Sequence, residues 1–377
     1  MLFRIDASIA EALRQAEVQQ DLVVGLSLLA HSRRYGNHLL FAEKSTVVAI
    51  VESAHLSAAD RAVFSRLLTR LPEKGALVRK LNHWVELIAA PGVSEVVTRQ
   101  GSQRVLRMSI GKFTGPQSVS PTCLLCEGEV DPRFYRFIAE ASAEHLGVRG
   151  IQLQYEARGG GGVHIGNEYR KLQEEDERLV LCIVDSDRRY PESELGATAT
   201  GVREADNPRA PRTMFRVLEC HESENLLPTK LILQYSDNSG MHQEDSRVLA
   251  ALEASAKSDV LFYIDVKDGL SAKSILYTTD ARLREYWESL VRPTPTVGTN
   301  IAKCRGGIKC ARAQQCRCEI LKGMGDGLLS GVLDMVALRG PRQPIIFAAL
   351  RPQLREEWRA LGALVVSWCC AGAPLRA

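Results

Sequence analysis

The chain has 377 residues, enough for two or three domains of about 150 residues each and for a core that needs no disulfide staples. Apolar residues at 45% and charged residues at 25% argue against wholesale disorder. A formal net charge of +3 neither demands nor excludes nucleic acid, so such a partner has to be argued from local patches. No run of about 18 apolar residues occurs, so no membrane span is expected. The uncharged stretch from Leu361 to Leu375 is too short and contains Pro374. Arg4, Asp6 and Glu11 interrupt the start of the chain, which lacks the apolar centre of a signal peptide. A cytoplasmic setting is the default expectation, and the ten cysteines then read as thiols or metal ligands.

Three segments differ in character: 1–115, 116–290 and 291–377. The first mixes helical patterns with short strands. Ile9 to Val18, Asp21 to His31, Ala58 to Leu71 and Ala76 to Ala89 read as helices. The β-branched run Thr46 to Val51, together with Ser94 to Arg99 and Arg104 to Ile110, reads as strands. A linker over Gly111 to Pro121 follows. The chain then alternates strand and helix, the signature of a parallel α/β sheet with helices on both faces. Expected strands are Thr122 to Cys126, Ile151 to Tyr155, Leu179 to Val184, Phe215 to Cys220 and Val260 to Val266. Expected helices are Pro132 to Leu146 and Asn167 to Glu177. The last segment opens at Pro293 and Pro295 and holds a cysteine cluster. It closes with a helix from Arg351 to Leu361 and the apolar run Leu364 to Trp368, where Cys369 and Cys370 read as core.

The carboxylates fall at the carboxyl ends of these strands. Glu127 ends the first, Asp185 and Asp187 the third, and Glu222 and Glu224 follow the fourth. Strand ends of an open α/β sheet line one crevice, so three of them deliver acids to one place. On an extended strand, residues two apart point the same way, which lets Asp185 and Asp187 share a cation. Grouped hard oxygen donors suit Mg²⁺ or Mn²⁺. Acids are also common at strand ends because loops are polar, and Asp131 would serve simply as the N-cap of a helix starting at Pro132.

The order strand-Glu-Gly followed by strand-Asp-x-Asp resembles the TOPRIM domain. The segments CEGEVDPRFY, HESENLLP and FYIDVKDGL, over roughly residues 121 to 280, are similar to TOPRIM nucleases of the overcoming-lysogenization-defect type and their anti-phage relatives. The resemblance implies a TOPRIM-like, Rossmann-like fold and a Mg²⁺- or Mn²⁺-dependent endonuclease acting on DNA or RNA. It implies that Glu127 and Asp131 form the first acidic pair and Asp185 and Asp187 the aspartate pair. It further implies that Glu222 and Glu224 are the later acids. The metal would fall to Glu127, Asp185, Asp187 and Glu224. Lys267 would neutralise charge developing on the phosphate, although an exposed lysine at a strand end is the plainer account. Relatives of this type often carry an ATPase in the same chain. No G-x-x-x-x-G-K-[ST] loop occurs here, so either a partner chain supplies the ATPase or sensor or none is needed.

Other features carry less. The RGGGGVH loop holds Arg158, Gly159 to Gly162 and His164, and its amides suit a phosphate, but a flexible loop explains it better. Cys304, Cys310, Cys316 and Cys318 are enough thiolates for a tetrahedral Zn²⁺ site, though their spacing is not that of Cys-x-x-Cys pairs. Lys303, Arg305, Lys309, Arg312 and Arg317 lie among them without an acid and suit a phosphate backbone. His31, Arg33, Arg34, Tyr35 and His38 form a further group that suits nucleic acid or a surface helix end. Dimerisation or partner docking is open to the first segment. The alternative function is a non-catalytic nucleic-acid-binding or assembly subunit that uses the basic cysteine segment.

Overall fold

The computed structural model describes residues 1–69, 71–98, 103–254, 260–294, 319–339 and 343–375. The cysteine cluster Cys304, Cys310, Cys316 and Cys318 lies outside the described residues. So do its companions Lys303, Arg305, Lys309, Arg312 and Arg317. The chain forms two compact units, each discontinuous in sequence. The first holds residues 1–183, 202–216 and 358–377, and the second holds 184–201 and 217–357.

The first unit contains two sheets. One is built from β1 (Leu2–Ile5), β2 (Leu39–Ala42), β3 (His83–Ile88), β4 (Ser94–Thr98) and β5 (Arg104–Ser109), in the order β2-β1-β3-β5-β4. All of its described pairings are parallel except β4 with β5. Helical chain precedes two of these strands, Ala7–Leu13 and Gln20–Tyr35 before β2, and Lys44–Glu52, Ala58–Leu68 and Leu71–Val78 before β3, whereas β3 reaches its parallel neighbour β5 through β4. The run Thr46 to Val51 is therefore helix and not strand. Its Thr46, Val47, Ala49 and Ile50 are buried at helical spacing, and that packing outweighs the β-branched preference. Ala76 to Ala89 is likewise divided: the helix stops at Val78, and β3 follows with every residue buried.

The second sheet is the α/β core. It comprises β6 (Thr122–Cys126), the two-residue β7 (Gln152–Leu153) outside it, then β8 (Tyr155–Gly159), β9 (Val180–Val184) and β10 (Thr213–Val217). The sheet order is β10-β9-β6-β8, with β6 parallel to both β8 and β9. Both β6 and β9 are buried throughout, as continuous apolar runs in a central parallel strand must be. A parallel α/β sheet with helices between its strands agrees with the expectation at that level.

Helix Asp131–Ala143 supplies Phe134, Phe137 and Ile138 to the core. The ring of Trp358 stands edge-on to Phe134 and Phe137 at 6.4 and 5.8 Å. Trp358 belongs to a single helix, Pro352–Cys369, which absorbs the terminal apolar run. Gly362 on that helix has no room for a Cβ, because Ser142 would meet it. Cys369 and Cys370 are fully buried; Cys370 and Ala371 form β13, which pairs antiparallel with β7.

Three members of the group at His31 to His38 are engaged within the fold, while His31 and Tyr35 are exposed. Arg33 is buried and donates to the carbonyl of Ala373 at 2.6 Å, Arg34 pairs with Asp60, and His38 Nε2 bonds the carbonyl of Ser120 at 2.8 Å. Arg158 at the end of the glycine-rich loop pairs with Glu168 at 2.6 Å.

The second unit is mainly helical. Thr229–Ser239, Gln243–Ala254, Ala281–Val291 and Gly327–Arg339 surround a short antiparallel pair, β11 (Leu270–Ser271) with β12 (Glu319–Leu321). The expected strand Val260 to Val266 is a one-turn helix, Val260–Tyr263, that leads into a turn. Among the described residues no helix is long and apolar enough to cross a membrane.

His83, the first residue of β3, is buried with neither ring nitrogen hydrogen-bonded among the described residues. Burial, helped by Arg104, lowers its pKa from 6.5 to about 4. The unfolded chain takes up this proton near pH 6.5 while the folded chain refuses it, so stability falls as pH falls through that window. The shift corresponds to about 3 kcal/mol at most. His83→Phe is expected to gain by up to that amount on wild type as urea melts move from pH 6.5 to pH 4. A constant difference across the series would refute the assignment.

Candidate functional site

In the second unit, two loops run side by side and place the carboxylates. β9 stops at Val184, and residues 185–189 turn away without joining a strand. The carbonyl of Val184 accepts from the Leu218 amide at 2.9 Å, and the Asp187 amide donates to the carbonyl of His221 at 2.9 Å. Ser186 Oγ donates to the carbonyl of Cys220 at 2.5 Å. These three bonds zip residues 184–187 to residues 218–221.

Asp185 is buried and accepts a hydrogen bond on Oδ1 from Ser223 Oγ at 3.1 Å. Asp187 is different. Its φ of 54° is left-handed, a region that Asp tolerates better than most residues, and it is exposed. The two aspartates therefore do not share the strand geometry expected of them: β9 ends before both, Asp185 is buried and Asp187 is left-handed and exposed. Gly196 packs against Asp187 so closely that any Cβ there would fall on the carboxylate.

Glu222 caps a single 3-10 turn, Ser223–Leu226, and Glu224 lies within it; each is 5% exposed. Asn225 organises this turn. Its Oδ1 accepts from the Glu222 amide at 2.8 Å, and its Nδ2 donates to the carbonyls of Leu261 and Ile264, both at 2.7 Å. That pair of bonds draws in the next segment, 261–267. Glu222 Oε1 completes the attachment by accepting from the amides of Val266 and Lys267 at 3.0 and 3.1 Å.

Lys267 Nζ then lies 3.1 Å from Glu222 Oε2 and 3.4 Å from Glu224 Oε2. Burial would lower its pKa, but the charges of Glu224, Glu222 and Asp185 outweigh burial and raise it. Burial raises the pKa of Glu222, opposed by Lys267. The backbone behind Lys267 is fixed as well. Gly323, at φ 94°, passes against the Lys267 carbonyl with no space for a Cβ, and the Gly325 amide donates to that carbonyl at 3.1 Å.

A histidine and an aspartate not anticipated from sequence complete the group. His221 Nδ1 faces the carbonyl of Arg188 at 3.1 Å, and Nε2 lies 3.7 Å from Asp265 Oδ2. His221, Glu222 and Asp265 each offer a ligand atom within 4.8 Å of the others. Burial lowers the pKa of His221, but Asp265 and Glu222 more than reverse this and raise it. Burial raises that of Asp265, and His221 with the Asp268 amide overcomes it.

Asp185, Glu222, Glu224 and Lys267 are thus brought together, with Asp187 on the exposed turn beside them. Ser223, Asn225, His221 and Asp265 are added by the structure. Asn225 lay within the HESENLLP segment, and its side-chain amide is the signal that a turn would be clamped there. Glu127 and Asp131 belong to the first unit. Glu127 follows β6, half-buried, where its charge acts on Cys182 of β9. Asp131 is the first residue of its helix, the N-cap position falling to Val130, and its Oδ2 accepts from the Gly128 amide at 2.8 Å.

No protein-family model, curated protein or solved structure matches the chain.

Lys267→Met leaves buried carboxylates without their cation. Urea unfolding is expected to show a loss of about 3 kcal/mol. Adding Glu224→Gln to that variant is expected to restore part of the loss, and an additive double variant would show that the charges are independent.

Proposed function

We propose that this chain is a divalent-metal-dependent endonuclease that hydrolyses phosphodiester bonds of DNA or RNA. The observation that carries the proposal is the convergence of Asp185, Glu222 and Glu224 on the Lys267 ammonium in the second unit. Three carboxylates are a hard, anionic donor set of the kind Mg²⁺ or Mn²⁺ takes. They are already gathered about a positive charge, so the residues fit such an ion. When bound, the ion supplies a water activated for attack and stabilisation of the leaving oxygen.

The chain's own groups do the remaining work. Ser223 orients Asp185 through its hydroxyl, and Asn225 fixes the turn that bears Glu222 and Glu224. Lys267 stays protonated across the working pH range and donates to a phosphate oxygen, offsetting charge that grows there in the transition state. Asp187, exposed at its turn, extends the set as the resemblance implies. A role as an anti-phage effector follows from the same resemblance. An activating ATPase or sensor partner follows from the same resemblance.

The test uses plasmid, single-stranded DNA and tRNA with Mn²⁺ or Mg²⁺. Asp185→Asn and Glu224→Gln are each expected to lower cleavage by at least about a hundredfold, with near-UV circular dichroism unchanged. EDTA is expected to abolish cleavage, and added Mn²⁺ to restore it. Full activity in Asp185→Asn, or cutting in EDTA, defeats the proposal. Retardation of the nucleic acid without cutting would favour the non-catalytic binding role.

A further inference from the structure

We propose that His221, Glu222 and Asp265 form a nitrogen-containing seat for a transition-metal dication such as Mn²⁺, distinct from the carboxylate-only set at Asp185 and Glu224. The proposal concerns metal binding alone and stands whether or not the chain cuts nucleic acid.

The argument begins with the imidazole. A carbonyl oxygen only accepts, so the 3.1 Å contact with Arg188 makes Nδ1 the protonated nitrogen. Nε2 is left as the free donor of the ring, and a backbone carbonyl behind the other nitrogen is the usual support of a metal-ligating histidine. Nε2 points to Asp265 Oδ2 across 3.7 Å, which is too long for a hydrogen bond. A cation held by both groups fits that gap, whether a proton on Nε2 or a dication that takes its place.

The third donor is held in place independently. Glu222 has one oxygen fixed by two backbone amides, so its carboxylate cannot swing away. Asp265 is held likewise, since its Oδ1 accepts from the Asp268 amide at 2.7 Å while Oδ2 faces the histidine. Donors bonded at about 2.1 Å to an octahedral ion lie roughly 3 to 4.2 Å apart. The ligand atoms here lie within 4.8 Å of one another, so they reach octahedral spacing by closing up, least where the widest pair sits trans across the ion. The supports come from three separate segments: the 188 turn, the 221–222 loop and the 265–268 turn.

The chemistry of this donor set differs from that of its neighbour. One imidazole with two carboxylates favours Mn²⁺, Zn²⁺ or Fe²⁺, whereas an all-oxygen set suits Mg²⁺. Glu222 belongs to both groups, with Oε2 facing Lys267, and therefore couples them.

Purified full-length chain loaded with MnCl₂ alone and read by electron spin-echo envelope modulation tests the seat. Wild type is expected to show ¹⁴N modulation from a directly bound imidazole. His221→Gln is expected to abolish it, and Asp265→Asn to weaken Mn²⁺ binding at least tenfold by calorimetry while the imidazole remains. Near-UV circular dichroism confirms that each variant is folded; should one fail, the other carries the test. No ¹⁴N modulation in wild type, or modulation that survives His221→Gln, overturns the proposal. Asp185→Asn separates this outcome from that of the nuclease: it is expected to stop cleavage and keep the ¹⁴N signal. Cleavage that never occurs, with the ¹⁴N signal intact, removes the nuclease and leaves the seat.

Discussion

One ammonium group makes the centre of the second unit tenable. Asp185, Glu222 and Glu224 are almost wholly buried, and three carboxylates withdrawn from water at close range cannot all stay ionised without a cation. Lys267 provides it, within 3.1 and 3.4 Å of the two glutamates. Everything else nearby serves to keep that lysine in reach. Asn225 pins residues 261–264 to the glutamate turn, Glu222 grips the 266 and 267 amides, and Gly323 lets a distant segment press against the lysine carbonyl. The cluster is thus held mainly through backbone, and backbone is harder to displace than a side chain.

The arrangement makes the centre dependent on positive charge in general. A protein that buries carboxylates around one ammonium has already met the desolvation cost of a cation site. Exchanging or supplementing the ammonium with a dication asks little further reorganisation of the chain. The His221–Asp265 pair has the same character on the other side of Glu222: an imidazole and a carboxylate held 3.7 Å apart around positive charge. Glu222 sits between the two and is bonded from both, so a change at either side is felt at the other.

The first unit solves a more ordinary problem. Two parallel sheets need helical crossovers and apolar strands, and the sequence supplies both. The six described cysteines are buried in the two units and act as small apolar residues. Burial pushes the thiols of Cys123 and Cys369 up to about 11 and about 12, which makes them poor nucleophiles. The cationic cluster at His31 to His38 shows the same economy, because Arg33 and His38 spend their polar groups on backbone carbonyls and not on a ligand.

The sequence by itself determined the elements whose signal is local. β6 and β9 are uninterrupted apolar runs, the helix after Asp131 carries its aromatic residues at helical spacing, and the acids sit just past strand ends. It misassigned Thr46 to Val51, where β-branched residues pack as helix because burial against neighbours overrides a weak intrinsic preference, and Val260 to Val266, which is one helical turn leading into a turn. It also gave Asp185 and Asp187 a common direction that the left-handed turn at Asp187 denies. Only the tertiary structure decided that Asp265 and Lys267 join Glu222, or that His221 faces Asp265. Those meetings depend on long-range bonds from Asn225 and from backbone amides across some 40 residues. No periodicity in the chain records such bonds.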